Sequence, residues 1–193
     1  MSLLINRKYK WVFVHIPKTG GSSISHILNQ VDGTESLQTH GSILEVKDNI
    51  SDYFKFTIVR NPFTRFISEY FHQIRKKETN KNFEFYIKQV DTKGLHLIPQ
   101  SYFVNTELDK TRELNFIGRY ENYIDEVKNI FQILNINQPI PHRNRNPIYD
   151  LHPNLNQEKY YSAFYSEEWM VDLVRERYKD DFKIFNYELD LPR

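Results

Sequence analysis

A short glycine-rich segment, Pro17–Ser23, has the residue types needed to hold an oxyanion. Two adjacent glycines, Gly20 and Gly21, let the backbone close around oxygen atoms without interference from a Cβ atom. Lys18 supplies a positive charge beside them. The hydroxyl donors of the segment are Thr19, Ser22 and Ser23. The segment therefore predicts a cradle for a phosphate or sulfate group.

The elements around this cradle favour the same interpretation. Trp11–His15 is a short apolar run typical of a buried strand. After the glycines, apolar residues follow with the spacing of one helical face: Ile24, Ile27, Leu28 and Val31. The cradle thus joins the carboxyl end of a strand to the amino end of a helix, where backbone N–H groups and the helix dipole attract an anion.

The cradle differs from the loop of nucleoside triphosphatases. In that loop, G-x-x-x-x-G-K-[ST], the lysine follows the glycines and a hydroxyl beside it holds magnesium. Here Lys18 precedes them, and no apolar run ends in an aspartate suited to magnesium. A P-loop kinase or hydrolase is therefore the less favoured alternative.

A second strand–helix unit carries a second candidate anion site. Phe54–Val59 predicts a buried strand, and Asn61 and Pro62 are typical of a helix N-cap and first helical position. Arg60 lies at the carboxyl end of that strand and Ser68 two helical turns later, a pair suited to a second phosphate. Arg65 is predicted to be a solvated or salt-bridged helix residue.

The order of these elements indicates an α/β fold. A further strand is predicted at Leu114–Gly118, with a helix after it and a last helix opened by Ser166. Strands that alternate with helices favour a P-loop-like three-layer fold, with a central parallel sheet flanked by helices. No linker or repeat interrupts the 193 residues, so we expect a single domain over residues 1–193.

The composition excludes several classes of protein. The formal net charge of +1 gives no global attraction to nucleic acid or to an anionic membrane. The absence of cysteine excludes disulfides, thiol catalysis and Cys-liganded metals. Without a long apolar run we expect no stable membrane anchor, and a cytoplasmic location. The 14 Phe and 13 Tyr are predicted to be ordinary core residues.

The motifs resemble those of sulfotransferases that use 3′-phosphoadenosine 5′-phosphosulfate (PAPS). Pro17–Ser23 resembles their 5′-phosphosulfate loop, and Arg60 with Ser68 resembles their 3′-phosphate motif. The similarity continues at three further segments: Gly118–Asn122, Pro141–Asn144 and Val174–Tyr187. It is greatest with the carbohydrate group, which contains the heparan sulfate 2-O- and chondroitin sulfotransferases. The resemblance implies PAPS as donor, PAP as product, a hydroxyl-bearing acceptor such as a saccharide, and no metal.

The same resemblance implies two catalytic residues. Lys18 would neutralise the charge that grows on the bridging oxygen during transfer. His40 is similar to the second histidine of a His-x-His element whose second member acts as the base, whereas the first position is Gln38 here. His40 as a structural or surface histidine, or Glu45 or Glu69 as the base, stay open. So does a non-catalytic PAP- or glycan-binding module. The other histidines show no metal-ligand spacing.

Overall fold

The computed structural model describes residues 2–39, 41–79, 82–90, 94–104, 110–140 and 157–192. The chain divides into two compact units that alternate along the sequence. The first unit comprises Met1–Arg60 and Gln100–Asn144, and the second comprises Asn61–Pro99 and Arg145–Arg193. Each has its own hydrophobic core.

The first unit is built on a five-stranded mixed sheet. Its strands are β1 Ser2–Asn6, β2 Trp11–Val14, β3 Thr34–Thr39, β4 Phe54–Val59 and β5 Phe116–Arg119, in the order β3-β1-β2-β4-β5. Strands β2, β4 and β5 are parallel, whereas β1 is antiparallel to both β2 and β3. The predicted α/β class is confirmed, but the prediction of a parallel sheet is wrong at β1, which is antiparallel to both of its neighbours.

The missed strand β1 forms a hairpin with β2 that has no glycine or proline in its turn. Leu3, Leu4 and Ile5 are fully buried in it. The turn depends instead on Asn6, whose side-chain oxygen accepts a hydrogen bond from the N–H of Tyr9 at 2.8 Å. Asparagine mimics a backbone turn in this way, and it gives a weaker sequence signal than Asn-Gly.

The topology brings four strand ends to one edge of the sheet. Because β1 is antiparallel to both of its neighbours, β3 runs in the same direction as β2, β4 and β5. The carboxyl ends of these strands are Val14, Thr39, Val59 and Arg119. Loops at this edge of an α/β sheet are where ligands usually bind.

Two helices of the first unit share a core with the sheet. They are α1 Gly21–Leu28 and α5 Tyr123–Ile133, and their apolar faces pack with Leu4, Trp11, Phe13, Phe56 and Ile58. The unit also contains α4 Gln100–Val104 and 3-10 helices at Ile43–Glu45, Lys110–Arg112 and Tyr120–Asn122. Helix α1 ends at Leu28, before the predicted Val31.

The described part of the second unit is helical. Its helices are α2 Pro62–Arg75, α3 Phe83–Gln89, α6 Gln157–Ser162, α7 Glu168–Arg177 and α8 Lys179–Ile184. Helix α2 begins as predicted, with the Asn61 side chain accepting from the N–H of Phe63 at 2.9 Å. Aromatic rings dominate the core, as in the contact of Phe63 with Tyr165 at 5.4 Å between ring centroids. The interpretation of these aromatics as core is confirmed.

Among the helices of the described ranges, none has the length and apolar character required to cross a bilayer.

Candidate functional site

The loop between β2 and α1 has the backbone shape of an anion cradle. Lys18 and Gly20 have positive φ angles of 70° and 82°. Gly20 is the N-cap of α1, and the first turn of this helix contains no acidic residue. By contrast, α5 has Asp125 and Glu126 in its first turn. The amino end of α1 therefore keeps its positive dipole end without a nearby carboxylate of its own helix.

The side chains of two tyrosines of the first unit pack against Gly20. The Tyr123 hydroxyl donates to the carbonyl oxygen of Gly20 at 2.9 Å. A Cβ atom on Gly20 would lie 2.6 Å from Tyr123 Cε2 and 3.1 Å from Tyr120 Cε2. Glycine is thus required at position 20 both by its φ angle and by this contact.

Tyr123 stays protonated in this environment. Burial raises its pKa to about 12, against the opposing effect of a hydrogen bond with the Ser23 side chain. At neutral pH its hydroxyl remains able to donate to Gly20. The contact holds the carbonyl group of Gly20 at the turn into α1.

A buried histidine supports the next residue of the loop. A Cβ atom on Gly21 would lie 2.2 Å from Cδ2 of His15. His15 is 2% exposed, stacks on Phe13 and has its Nδ1 3.3 Å from the Ser25 hydroxyl oxygen. His15 is therefore a packed residue next to the loop.

The hydroxyl groups of the loop differ in their roles. The Thr19 hydroxyl is buried and donates to the carbonyl oxygen of Ile16 at 2.9 Å, a contact that the sequence does not predict. Ser23 is also buried, whereas Lys18 and Ser22 are partly exposed. The accessible polar side chains of the loop are therefore a cation and a hydroxyl donor.

Arg60 adds a second cation beside the loop. Its side chain is buried, lies 4.1 Å from the centroid of the Tyr120 ring, and donates from Nη1 to the carbonyl oxygen of Lys18 at 3.3 Å. The Gln100 side chain accepts from the N–H of Arg60 and donates to its carbonyl oxygen, each at 2.8 Å. The structure thus brings Arg60 together with the Lys18 loop.

Sequence reasoning missed Tyr120, Tyr123 and Gln100. Tyr120 lies inside the Gly118–Asn122 motif, and Tyr123 follows it directly as the first residue of α5. That position near a helix start was the available signal. Gln100 gave none, because a glutamine that pairs with a backbone forty residues away has no local pattern.

The remaining predicted site residues lie either in other parts of the described structure or outside the described residues. Ser68 is a partly exposed residue of α2 in the second unit. His40 and the segment Pro141–Asn144 lie outside the described residues. Of the two alternative bases, Glu45 accepts from the N–H of Ser42 in a capping box. Glu69 is buried in the second unit.

Arg65 corrects a sequence prediction. The expectation of solvation is wrong, because Arg65 is 2% exposed and donates from Nη2 to the carbonyl oxygens of His96 and Ile98, each at 2.9 Å. A guanidinium group has several donors, so carbonyl oxygens can replace its hydration shell. The spacing of apolar residues along the helix does not reveal such contacts.

A strand–glycine loop–helix unit with Lys18 and Arg60 at the carboxyl edge of the sheet is an arrangement of α/β proteins that suits an oxyanion. The model of the sulfotransferase family matches residues 1–188. The chain therefore belongs to the sulfotransferase family, whose reaction moves a sulfuryl group from a sulfate donor to a hydroxyl acceptor. Neither the curated proteins nor the solved structures contain a match.

Proposed function

We propose that this protein transfers the sulfuryl group of PAPS to a hydroxyl group of a saccharide and leaves PAP. The observation that carries the proposal is the contact of Arg60 with the left-handed Lys18 loop, in a chain of the sulfotransferase family. The choice of PAPS and of a saccharide rests on the resemblance of the motifs to the carbohydrate group.

The loop supplies groups that fit the phosphosulfate end of such a donor. In the reaction, the acceptor oxygen bonds to sulfur while the bond from sulfur to the bridging oxygen breaks, and the acceptor proton passes to a base. Lys18 is our candidate for neutralising the charge on the bridging oxygen. Backbone N–H groups at the start of α1 are our candidates for the 5′-phosphate oxygens, together with Ser22.

Arg60 is our candidate for the 3′-phosphate, and Ser68 stays a prediction from the sequence. The Arg60 side chain is buried against Tyr120, where its charge is less screened than in water. No residue of this proposal needs a metal for its role.

The proposal predicts a specific response to PAP. PAP at 100 times its dissociation constant should stabilise the fold by about 2.7 kcal/mol, which raises the melting temperature by roughly 5–10 °C for a chain of this size. Calorimetry without added metal measures this shift. Labelled PAPS with a panel of saccharides and phenols then reports transfer. A shift with ATP and magnesium but none with PAP would contradict the proposal.

His40 is our candidate for the base, and its replacement separates chemistry from binding. His40→Ala should lower turnover by about 10²-fold or more while PAP affinity stays unchanged, because the proton leaves the acceptor after the donor has bound. Turnover of the wild type should decrease as the pH drops below about 6.5, because a histidine base becomes protonated there. An acid limb that is identical in His40→Ala would assign the base to another residue.

A further inference from the structure

Three potential metal ligands meet in the second unit, away from the Lys18 loop in the sequence. Glu69, His72 and His96 each place a ligand atom within 4.8 Å of the other two. Glu69 and His72 are three residues apart on α2, so they lie on the same face of the helix. His96 comes from the segment between α3 and α4. Spacing along the sequence did not reveal this group.

The distances within the group are close to those of a chelate. Nδ1 of His96 lies 2.9 Å from Oε2 of Glu69, and the ring centroids of His72 and His96 are 5.2 Å apart. Nitrogen and oxygen ligands at about 2.0–2.2 Å from one zinc ion are separated by roughly 3.0–3.5 Å. Small side-chain rotations therefore suffice to place the three ligands around one ion.

The surrounding residues hold the ligands in position. Gln73 donates to Oε1 of Glu69, which orients the other carboxylate oxygen toward His96. Arg65 donates to the carbonyl oxygens on both sides of Leu97, and Tyr178 donates to the carbonyl oxygen of Leu97 itself at 2.9 Å. Such outer contacts are what keeps metal ligands in a fixed orientation.

The three ligands differ in how exposed they are. The Glu69 side chain is 1% exposed, whereas that of His96 is 28% exposed. A buried carboxylate requires compensation by hydrogen bonds or by positive charge. Gln73 and His96 already contact the two oxygens of this carboxylate. A divalent ion would therefore insert between Oε2 and Nδ1 of His96, and the more open side of the histidines gives it access.

We propose that Glu69, His72 and His96 form a binding site for a divalent transition-metal ion of the zinc type. Two imidazoles and one carboxylate are a ligand set for zinc and neighbouring metals, whereas magnesium and calcium prefer oxygen ligands alone. The ion would join α2 to the segment that carries His96. The site is independent of the proposed sulfuryl transfer.

One neighbouring cation competes with the ion. Nη2 of Arg75, an exposed residue at the end of α2, lies 2.9 Å from Nδ1 of His72. If this group is a metal site, removal of Arg75 should leave zinc affinity unchanged or increase it. If the group is only a hydrogen-bonded cluster, no variant should alter zinc binding.

The test is titration calorimetry of untagged, chelator-treated protein with zinc chloride. We expect one ion per chain, a loss of affinity of at least tenfold in His72→Gln, and no loss in Arg75→Ala. The matched control is His26→Gln, which removes an exposed histidine of α1 whose ring contacts Gln30. Far-ultraviolet circular dichroism confirms that each variant is folded.

Magnesium chloride in place of zinc should give no binding. The proposal is overturned if the wild type binds less than one zinc ion per chain. It is equally overturned if His72→Gln binds zinc as tightly as the wild type, or if His26→Gln loses as much affinity as His72→Gln.

Discussion

Lys18→Gly is expected to lower the rate of sulfuryl transfer strongly without lowering the stability of the fold. Loss of a cation aimed at a developing negative charge costs about 10²–10³-fold in turnover. Lys18 has a φ angle of 70°, which costs a side-chain-bearing residue roughly 1–2 kcal/mol. Glycine removes that strain, and the gain offsets the larger entropy of its unfolded chain.

The measurements are turnover with labelled PAPS and the melting temperature without ligand. Lys77→Gly is the matched control, because Lys77 is an exposed lysine with a φ angle of 59° after the end of α2. It should show the same small change in stability with unchanged turnover. Near-normal turnover in Lys18→Gly, with PAPS still bound, would remove Lys18 from the chemistry.

Sequence patterns predicted the elements whose own consecutive residues determine their structure. Strand β4 has the predicted bounds because six consecutive residues favour a buried strand, and α2 begins at its predicted Asn-Pro signal. The loop at Lys18 was predictable for the same reason. Its glycines, lysine and hydroxyls lie within seven residues, between an apolar run typical of a buried strand and apolar residues with helical spacing.

Contacts between distant segments were not predictable. Tyr123 contacts Gly20, which is 103 residues away in the sequence, and Gln100 contacts the backbone of Arg60, which is 40 residues away. The hairpin of β1 was hidden by a turn that depends on Asn6. Arg65 looked like a surface residue, since nothing near it in the sequence indicates the carbonyl groups that it meets.

Arg60→Ala tests which of two roles the buried arginine has. If Arg60 binds the 3′-phosphate, its replacement removes a charged hydrogen bond worth about 1.5–3 kcal/mol. The affinity for PAP should then fall by roughly 10–100-fold. The affinity for adenosine 5′-phosphate, which lacks the 3′-phosphate, should fall much less. The quantity to measure is therefore the dissociation constant of adenosine 5′-phosphate divided by that of PAP. Calorimetry on the folded protein gives both constants.

The rival role follows from the contact of Arg60 with the carbonyl oxygen of Lys18. If Arg60 only supports the loop, Arg60→Ala should lower the affinities for both nucleotides equally and leave the ratio unchanged. That result would contradict the 3′-phosphate assignment. Arg112→Ala is the control, because Arg112 also donates to backbone carbonyls of the first unit, those of Ile43 and Val46. Its loss should lower the melting temperature and leave the ratio as in the wild type. A ratio that falls at least tenfold only in Arg60→Ala is the result expected of a direct phosphate contact, since a loop distorted at Lys18 has no means of distinguishing the two nucleotides.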